Sequence, residues 1–225
     1  AFEAAPPLPT NPRFLAVFSG LLALADWIGS DRTYFKYSND TEEDRAPFAA
    51  DMAVRRLRDI GLNPDPGRAA VAYQPNDFAS LYGFRPRPVQ TAVSQAPVAK
   101  NGSLVIVEAE TGTGKTEAAL ARFRTLFDAG AVDSLYFALP TRSSGVQIHN
   151  RVSRIFEGWF GDAAPKPVLA VPGYLRIGEH EGAALGDFRV LWDDDIQPTG
   201  WAAENAKRYA AAFCAVGKID QALLS

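Results

Sequence analysis

The chain has 225 residues, of which 47% are hydrophobic and 22% are charged, so it can form a core and is not disordered as a whole. Its 23 Lys and Arg against 26 Asp and Glu give a net charge of −3, which excludes binding of nucleic acid through bulk positive charge. The single cysteine, Cys214, excludes an internal disulfide and favours a reducing, cytoplasmic setting.

The first 77 residues predict two helices and a linker. Residues 14–28 form an apolar run that is interrupted by Asp26, ends at Gly29 and lacks a basic leader, so we expect a buried helix and no membrane span. A shorter amphipathic helix is expected over residues 48–60. Residues 61–77 are rich in Pro, Gly and Asp, which is typical of a linker. The first residue is not Met and the last residues are apolar, so we expect the chain to be a piece of a longer protein.

From residue 78 onward, short aliphatic runs alternate with helical patterns. Helices are expected over residues 115–128 and 143–157. Buried strands are expected at Leu104–Val107, Leu135–Leu139, Val168–Val171 and Phe213–Val216. This alternation predicts an α/β fold with a parallel sheet and flanking helices.

A glycine loop at residues 109–116 (AETGTGKT) follows the first predicted strand and precedes a helix. Gly112 and Gly114 leave space for backbone N–H groups to face phosphate oxygens. Lys115 supplies a positive charge for the β- and γ-phosphates, and Thr116 offers a hydroxyl to Mg²⁺. The usual pattern begins with Gly where this chain has Ala109, and the alternative interpretation is a glycine-rich turn with a surface lysine.

The loop resembles that of superfamily 2 helicases, in which its sequence pattern is A-x-T-G-x-G-K-T. The resemblance implies ATP and Mg²⁺ as cofactors, with Lys115 and Thr116 as catalytic residues. It also implies a nucleotide-binding set at Glu110, Thr111, Gly112, Thr113, Gly114, Lys115 and Thr116.

The upstream segment Phe84–Gln90 (FRPRPVQ) resembles the adenine-reading element of the same helicases. The resemblance implies that the Gln90 amide pairs with adenine, since it carries a donor and an acceptor side by side. Phe84 would stack on the base, and Arg87 joins the nucleotide-binding set. Without the resemblance, Gln90 is an ordinary residue at a helix start and Phe84 is a core aromatic residue.

The second predicted strand ends in Ala138–Arg142 (ALPTR), which in such motors contacts the backbone of the tracked strand. The resemblance therefore implies contacts to nucleic acid from Pro140, Thr141 and Arg142, since a hydroxyl and a guanidinium suit phosphate. The alternative is that Thr141 or Ser143 caps the following helix. Both roles are compatible.

A narrower resemblance is to the CRISPR-associated helicase–nucleases of type I systems. It is carried by Ser19–Ser30 (SGLLALADWIGS), by the 84–90 and 109–116 elements, and by Trp201–Arg208 followed by Val216–Leu224 (VGKIDQALL). It implies that residues 1–60 are the helical C-terminal part of an HD nuclease domain. The helix over residues 14–28 would then bury its apolar side against partners that this chain does not contain. Residues 78–225 would be the N-terminal part of the first RecA-like helicase lobe. The parent would be an ATP-driven translocase and nuclease acting on single-stranded DNA, with an RNA-guided CRISPR surveillance complex as partner.

Two residues, Lys218 and Asp26, fit this resemblance incompletely. The family pattern has Thr where this chain has Lys218, so a contact to the strand backbone would come from a longer, charged side chain. Asp26 would be a metal ligand of the HD site, which takes a divalent transition metal, but the chain has only His149 and His180 to complete it. We expect the site to be incomplete here, His149 to be structural and His180 to be solvated in an acidic loop. Without the resemblance, Asp26 is a polar residue at a helix end.

A motor of this class also needs an acidic pair after a later strand, to hold Mg²⁺ and position water. In the candidate segment Val190–Asp195, the apolar run before the acidic residues is short for a strand. We therefore expect this segment to be an acidic loop. We therefore expect these 225 residues to bind ATP weakly or not at all and not to hydrolyse it. Two other interpretations remain open: another superfamily 2 helicase or P-loop ATPase, and a nonenzymatic module that binds nucleotide or protein.

Overall fold

The computed structural model describes residues 8–37, 44–100, 102–171, 174–177, 180–181 and 212–219. The chain divides into two compact units, residues 1–58 and 59–225, and each is described by itself below.

The first unit contains helices α1 (Pro12–Gly29) and α2 (Arg45–Asp59), the latter ending just past the unit boundary. Asn11 caps α1, since its side chain accepts a hydrogen bond from the Phe14 N–H at 2.8 Å. Arg56 of α2 is only 5% exposed and pairs with Asp31 at 2.7 Å. This ion pair ties α2 to the turn that follows α1. Both predicted helices are confirmed, although α2 begins at Arg45 rather than residue 48.

Helix α1 has an apolar side that the described residues leave largely exposed. Ile28 is its one buried residue, while the large apolar side chains of Leu15, Val17, Phe18, Leu21 and Leu22 are all at least 44% exposed. This exposure agrees with the expectation that the chain does not itself cover the helix, and the covering partner stays a prediction. Among the described residues, α1 is the one helix long and apolar enough to cross a membrane, by length and composition alone.

In the second unit, the segment expected to be a linker contains a packed helix, α3 (Asp65–Val71). Val71 is 1% exposed and belongs to the main core. The Arg68 guanidinium donates to the carbonyl of Val132 at 3.0 Å and pairs with Asp133 at 2.5 Å. The prediction of an irregular linker over residues 61–77 is therefore corrected, because the helix packs on the rest of the second unit.

The described residues of the second unit contain four further α-helices and five strands. The helices are α4 (Phe78–Tyr82), α5 (Pro88–Ser94), α6 (Lys115–Asp128) and α7 (Arg142–Phe160), and a 3-10 turn lies at Gly161–Ala163. The strands are β1 (Leu135–Leu139), β2 (Val168–Val171), β3 (Tyr174–Ile177), β4 (His180–Glu181) and β5 (Cys214–Lys218).

The strands form one sheet in the order β1-β5-β2-β3-β4. Strands β1, β5 and β2 are parallel, which confirms the predicted parallel arrangement for these three. Strands β3 and β4 extend the sheet in antiparallel fashion, which the sequence did not predict. His180 pairs with Ile177 in this extension, so the expected loop is a strand at that residue.

An aromatic core holds the second unit together. Its rings come from α6, α7 and the residue before β5: Phe123, Phe127, Phe156, Trp159, Phe160 and Phe213. The buried Arg124 of α6 donates to the Val71 carbonyl at 2.7 Å and pairs with Asp128 at 2.9 Å, which attaches α3 to this core.

The predicted strand at Leu104–Val107 does not form. The segment is in no helix or strand, and Leu104 and Ile106 are 87% and 84% exposed. An aliphatic run predicts burial but does not specify a pairing partner, and a buried strand needs neighbours for its N–H and C=O groups. Among the described strands none pairs with this segment, so the run remains exposed.

Candidate functional site

The glycine loop leads directly into the N-terminus of α6. Gly114 is the cap residue, with a φ of 85°, and Gly112 has a φ of 81°. Both values lie in the left-handed region that glycine adopts without a steric penalty. Lys115 is the first residue of α6 and Thr116 the second. The first-turn N–H groups of a helix lack intrahelical acceptors, so this geometry suits an anion.

The Lys115 ammonium folds back onto its own loop. It donates to the carbonyls of Ala109 at 2.5 Å and Glu110 at 2.9 Å. The Glu110 carbonyl also accepts from the Thr113 hydroxyl at 2.7 Å. Because Lys115 is exposed, its ammonium can leave these carbonyls for a stronger acceptor such as phosphate.

Helix α5 holds the loop from the other side. The Arg87 guanidinium donates to the Gly112 carbonyl at 3.1 Å, and the Gln90 amide donates to the Gly114 carbonyl at 3.1 Å. The Gln90 side-chain oxygen accepts from the Arg87 N–H at 2.8 Å. These contacts bring together two groups of predicted nucleotide-binding residues that lie more than 20 positions apart in sequence.

Gln90 is only 1% exposed, so its amide lies beneath the loop. A Cβ added at Gly114 would collide with this amide and approach Glu117 Oε2 at 3.3 Å. Glycine at position 114 is therefore required by both conformation and space. The predicted contact between Gln90 and adenine stays a prediction, and the structure adds a positioning role for the same side chain.

A cleft of about 330 Å³ lies next to the loop. Phe84, which is 47% exposed, lines it together with Tyr82. Glu117 of α6 and Arg151 of α7 form an ion pair in its wall. Burial and the nearby Glu117 carboxylate raise the pKa of Tyr82, so its hydroxyl stays protonated. Phe84 is recognisable from the sequence, whereas Glu117 and Arg151 are not. In the sequence these two are ordinary charged residues of two amphipathic helices.

The predicted nucleic-acid residues meet at one edge of the sheet. Leu139 at the end of β1 pairs with Lys218 at the end of β5, so Pro140 and Thr141 lie beside Lys218 at the carboxyl ends of parallel strands. Thr141 caps α7, since its hydroxyl accepts from the Ser144 N–H at 3.3 Å. The capping alternative is confirmed for Thr141. Contacts to nucleic acid from Pro140, Thr141, Arg142 and Lys218 stay predictions.

The predicted metal ligand Asp26 lies near the C-terminus of α1 and is exposed. Among the described residues there is no group of three or more His, Cys, Asp or Glu side chains that could hold a metal. The donors around Asp26 in the described part of the chain therefore do not fit a transition metal. His149 is 4% exposed and hydrogen-bonds the Pro167 carbonyl at 2.9 Å, as expected of a structural residue.

Two predicted features lie outside the described residues. They are the acidic segment Val190–Asp195 and the Trp201–Arg208 element. The last part of the VGKIDQALL stretch, residues 220–224, also lies outside them.

The mixed sheet with its flanking helices and the glycine loop at a helix N-terminus make the second unit a candidate nucleotide-binding domain. Comparison with known proteins gives its family. The chain is 32% identical over 226 aligned positions to the CRISPR-associated endonuclease/helicase Cas3 of Escherichia coli, covering 95% of this chain and 24% of the relative. It is 28% identical to the protein of the same name from Thermus thermophilus, with the same coverage of both chains.

A third relative is the CRISPR-associated nuclease/helicase Cas3 of Streptococcus thermophilus, 30% identical over 154 residues, or 65% of this chain and 16% of the relative. The chain belongs to this family of CRISPR-associated helicase–nucleases, and it spans about a quarter of the length of the first two relatives. No family model matches it, and no solved structure gives a significant match.

Proposed function

We propose that this chain is the nucleotide-binding part of an ATP-driven translocase and nuclease that acts on single-stranded DNA in CRISPR interference, an antiviral defence. Residues 78–225 would form the N-terminal part of its first RecA-like lobe, and residues 1–60 the C-terminal part of its HD nuclease domain. An RNA-guided surveillance complex in the cytoplasm would bring the enzyme to its DNA. Membership of a helicase–nuclease family supports this proposal.

The observation that carries the proposal is the position of Lys115 and Thr116 in the first turn of α6, directly after two left-handed glycines. Backbone N–H groups of this turn would bind the β- and γ-phosphates. Lys115 would move its ammonium from the Ala109 and Glu110 carbonyls to the phosphates. Thr116 would hold Mg²⁺, which when bound neutralises charge that develops on the transferred phosphoryl group.

Helix α5 would keep the loop open for the nucleotide. Arg87 and Gln90 each bind a loop carbonyl, which fixes the backbone at Gly112 and Gly114. The Thr113 N–H donates to the Glu110 carbonyl at 3.4 Å and would exchange this acceptor for a phosphate oxygen. At the sheet edge, Thr141 and Lys218 would contact backbone phosphates of the single strand, with the hydroxyl and the ammonium as donors.

The test is calorimetric titration of Mg·ATP into the 225-residue chain, the Lys115→Ala variant and the control Lys100→Ala, which removes an exposed lysine outside the loop. We expect weak binding by the wild-type chain and by the control. Lys115→Ala should weaken binding about tenfold or more, because a charge-assisted contact is lost. Equal affinities for all three proteins would contradict the proposed phosphate site.

A second measurement concerns turnover. We expect no steady-state hydrolysis by these 225 residues, because the sequence of Val190–Asp195, the candidate acidic segment, predicts a loop and not a strand followed by an acidic pair. Hydrolysis that Lys115→Ala abolishes would show that this part of the proposal is wrong and that the chain holds a complete catalytic set.

A further inference from the structure

Glu117 is a buried carboxylate in the first turn of the helix that follows the phosphate loop. It is the third residue of α6, and its side chain is only 5% exposed. The positive end of a helix attracts a carboxylate in this turn, and the same positive end would attract the phosphates of a nucleotide. The structure therefore places a negative charge where the proposed site needs a positive potential.

The two carboxylate oxygens of Glu117 face different elements. A Cβ added at Gly114 would lie 3.3 Å from Oε2, so this oxygen is close to the last glycine of the loop. The other oxygen, Oε1, pairs with the Arg151 guanidinium of α7. Among the described residues, Arg151 is the one cation that forms an ion pair with Glu117. The compensation of a charge beside the loop thus depends on a residue of another helix.

The two partners of this ion pair differ in their access to water. The Arg151 side chain is 47% exposed, so its guanidinium keeps part of its hydration. The Glu117 carboxylate is buried, and a buried charge that loses its partner is costly. Removal of Arg151 therefore leaves an uncompensated carboxylate beside the loop, whereas removal of the Glu117 charge leaves a guanidinium that water can solvate.

We propose that Arg151 is a positioning residue of the phosphate loop, which neutralises Glu117 so that the loop accepts the phosphates of a nucleotide. This inference rests on the proposed function, because it takes the phosphates to be on residues 112–116. Without the guanidinium, the carboxylate repels the phosphates, since buried charges are screened little by water and salt. Arg151 acts through Glu117 and does not itself contact the ligand.

Arg154 provides a matched control on the same helix. It lies about one turn after Arg151, lines the same cleft and is exposed. Its guanidinium donates to the Asn150 carbonyl of its own helix at 3.3 Å. Arg154→Gln therefore removes a positive charge from the same wall and leaves the pair of Glu117 and Arg151 in place.

The experiment is calorimetric titration of inorganic tripolyphosphate with Mg²⁺ into the 225-residue chain and its variants. Tripolyphosphate has no base or sugar, so its affinity reports on the phosphate site alone. The variants are Arg151→Gln, Arg151→Lys, Glu117→Gln, the double variant of Glu117→Gln with Arg151→Gln, and Arg154→Gln. Lys115→Ala is the reference for a lost phosphate contact, and circular dichroism checks that each variant is folded.

Arg151→Gln should weaken tripolyphosphate binding about tenfold, and Arg151→Lys by less than about threefold because it keeps the charge. Glu117→Gln alone should bind at least as tightly as the wild type. In the double variant, the loss of the repelling charge should restore the affinity to within about threefold of the wild type. Arg154→Gln should change the affinity by no more than about twofold.

Three results would overturn this inference while leaving the phosphate site in place, provided that Lys115→Ala still weakens binding. The first is wild-type affinity in Arg151→Gln. The second is a loss in Arg151→Gln that persists in the double variant, because the guanidinium would then contact the ligand directly. The third is an equal loss in Glu117→Gln and Arg151→Gln, as expected of a pair that only stabilises the fold. Absence of tripolyphosphate binding to the wild-type chain would overturn the proposed function and this inference together.

Discussion

Replacing Gly114 by alanine tests how the phosphate loop is held. Gly114 has a φ of 85°, and a Cβ added there would collide with the Gln90 amide. Gly112 is the matched control, because it has a φ of 81° but nothing within 4 Å of an added Cβ. The two substitutions therefore share the backbone penalty and differ in the collision.

The magnitudes follow from these two contributions. Alanine in the left-handed region costs about 1–2 kcal/mol, so Gly112→Ala should lower the free energy of unfolding by about that amount. Gly114→Ala should cost the same and, in addition, break the hydrogen bond from Gln90 to the Gly114 carbonyl. Leaving the buried Gln90 amide without its acceptor adds about 1–3 kcal/mol. Gly114→Ala should therefore be the more destabilising variant by at least about 1 kcal/mol.

The assay is urea unfolding followed by circular dichroism, with the two variants measured alone and in a Gln90→Ala background. Removal of the Gln90 side chain also removes the collision, so the difference between the two glycine variants should disappear in that background. If Gly114→Ala and Gly112→Ala are equally stable while Gln90 is present, the reasoning about the amide beneath the loop is refuted.

Three further outcomes are expected. Arg124→Met should lower the free energy of unfolding by about 3 kcal/mol, because it leaves Asp128 and the Val71 carbonyl without their buried donor. Urea unfolding measures this change, and a loss below about 1 kcal/mol would contradict the expectation. The ordinary pKa of tyrosine is 10.0, and the fold raises the pKa of Tyr82 above it. Below pH 10 the protonated hydroxyl therefore contributes fully to stability, and this contribution is lost as the pH rises above that value. Stability should therefore fall more steeply above pH 10 in the wild type than in Tyr82→Phe, as alkaline unfolding curves would measure. In a hydrogen-exchange measurement, the backbone amides of Leu104–Val107 should exchange with solvent much faster than those of β5. Slow exchange there would instead support the strand predicted from the sequence.

The elements that the sequence predicts well are those with a strong local pattern. Helix α1 ends at Gly29 as expected, and β1 spans the predicted Leu135–Leu139. Helix α3 was missed because its sequence contains Pro66 and Gly67, which are typical of linkers. In the structure the proline lies in the first helical turn, where its missing N–H has no consequence. Gly67 packs closely on the Phe127 ring, since a Cβ there would lie 3.3 Å from it.

The residues of the candidate site also differ in how well the sequence predicts them. The loop at residues 109–116 is recognisable because its chemistry is local, with glycines, a lysine and a threonine in one short segment. The contacts that hold it are not local: Arg87 and Gln90 reach it across 25 and 24 positions. Glu117 and Arg151 come from separate helices, and no short pattern links them. Their proximity depends on how α6 and α7 pack, which composition and periodicity do not determine.

The structure gives Gln90 a second role beside the base contact predicted from the sequence. Its amide has two N–H donors and an oxygen with two lone pairs. One donor is used on the Gly114 carbonyl and one lone pair on the Arg87 N–H, which leaves one of each for a base. Any base contact by Gln90 would therefore act on the same side chain that fixes the last glycine of the loop. The adenine contact implied by the resemblance would thus join base binding to the position of the phosphate loop.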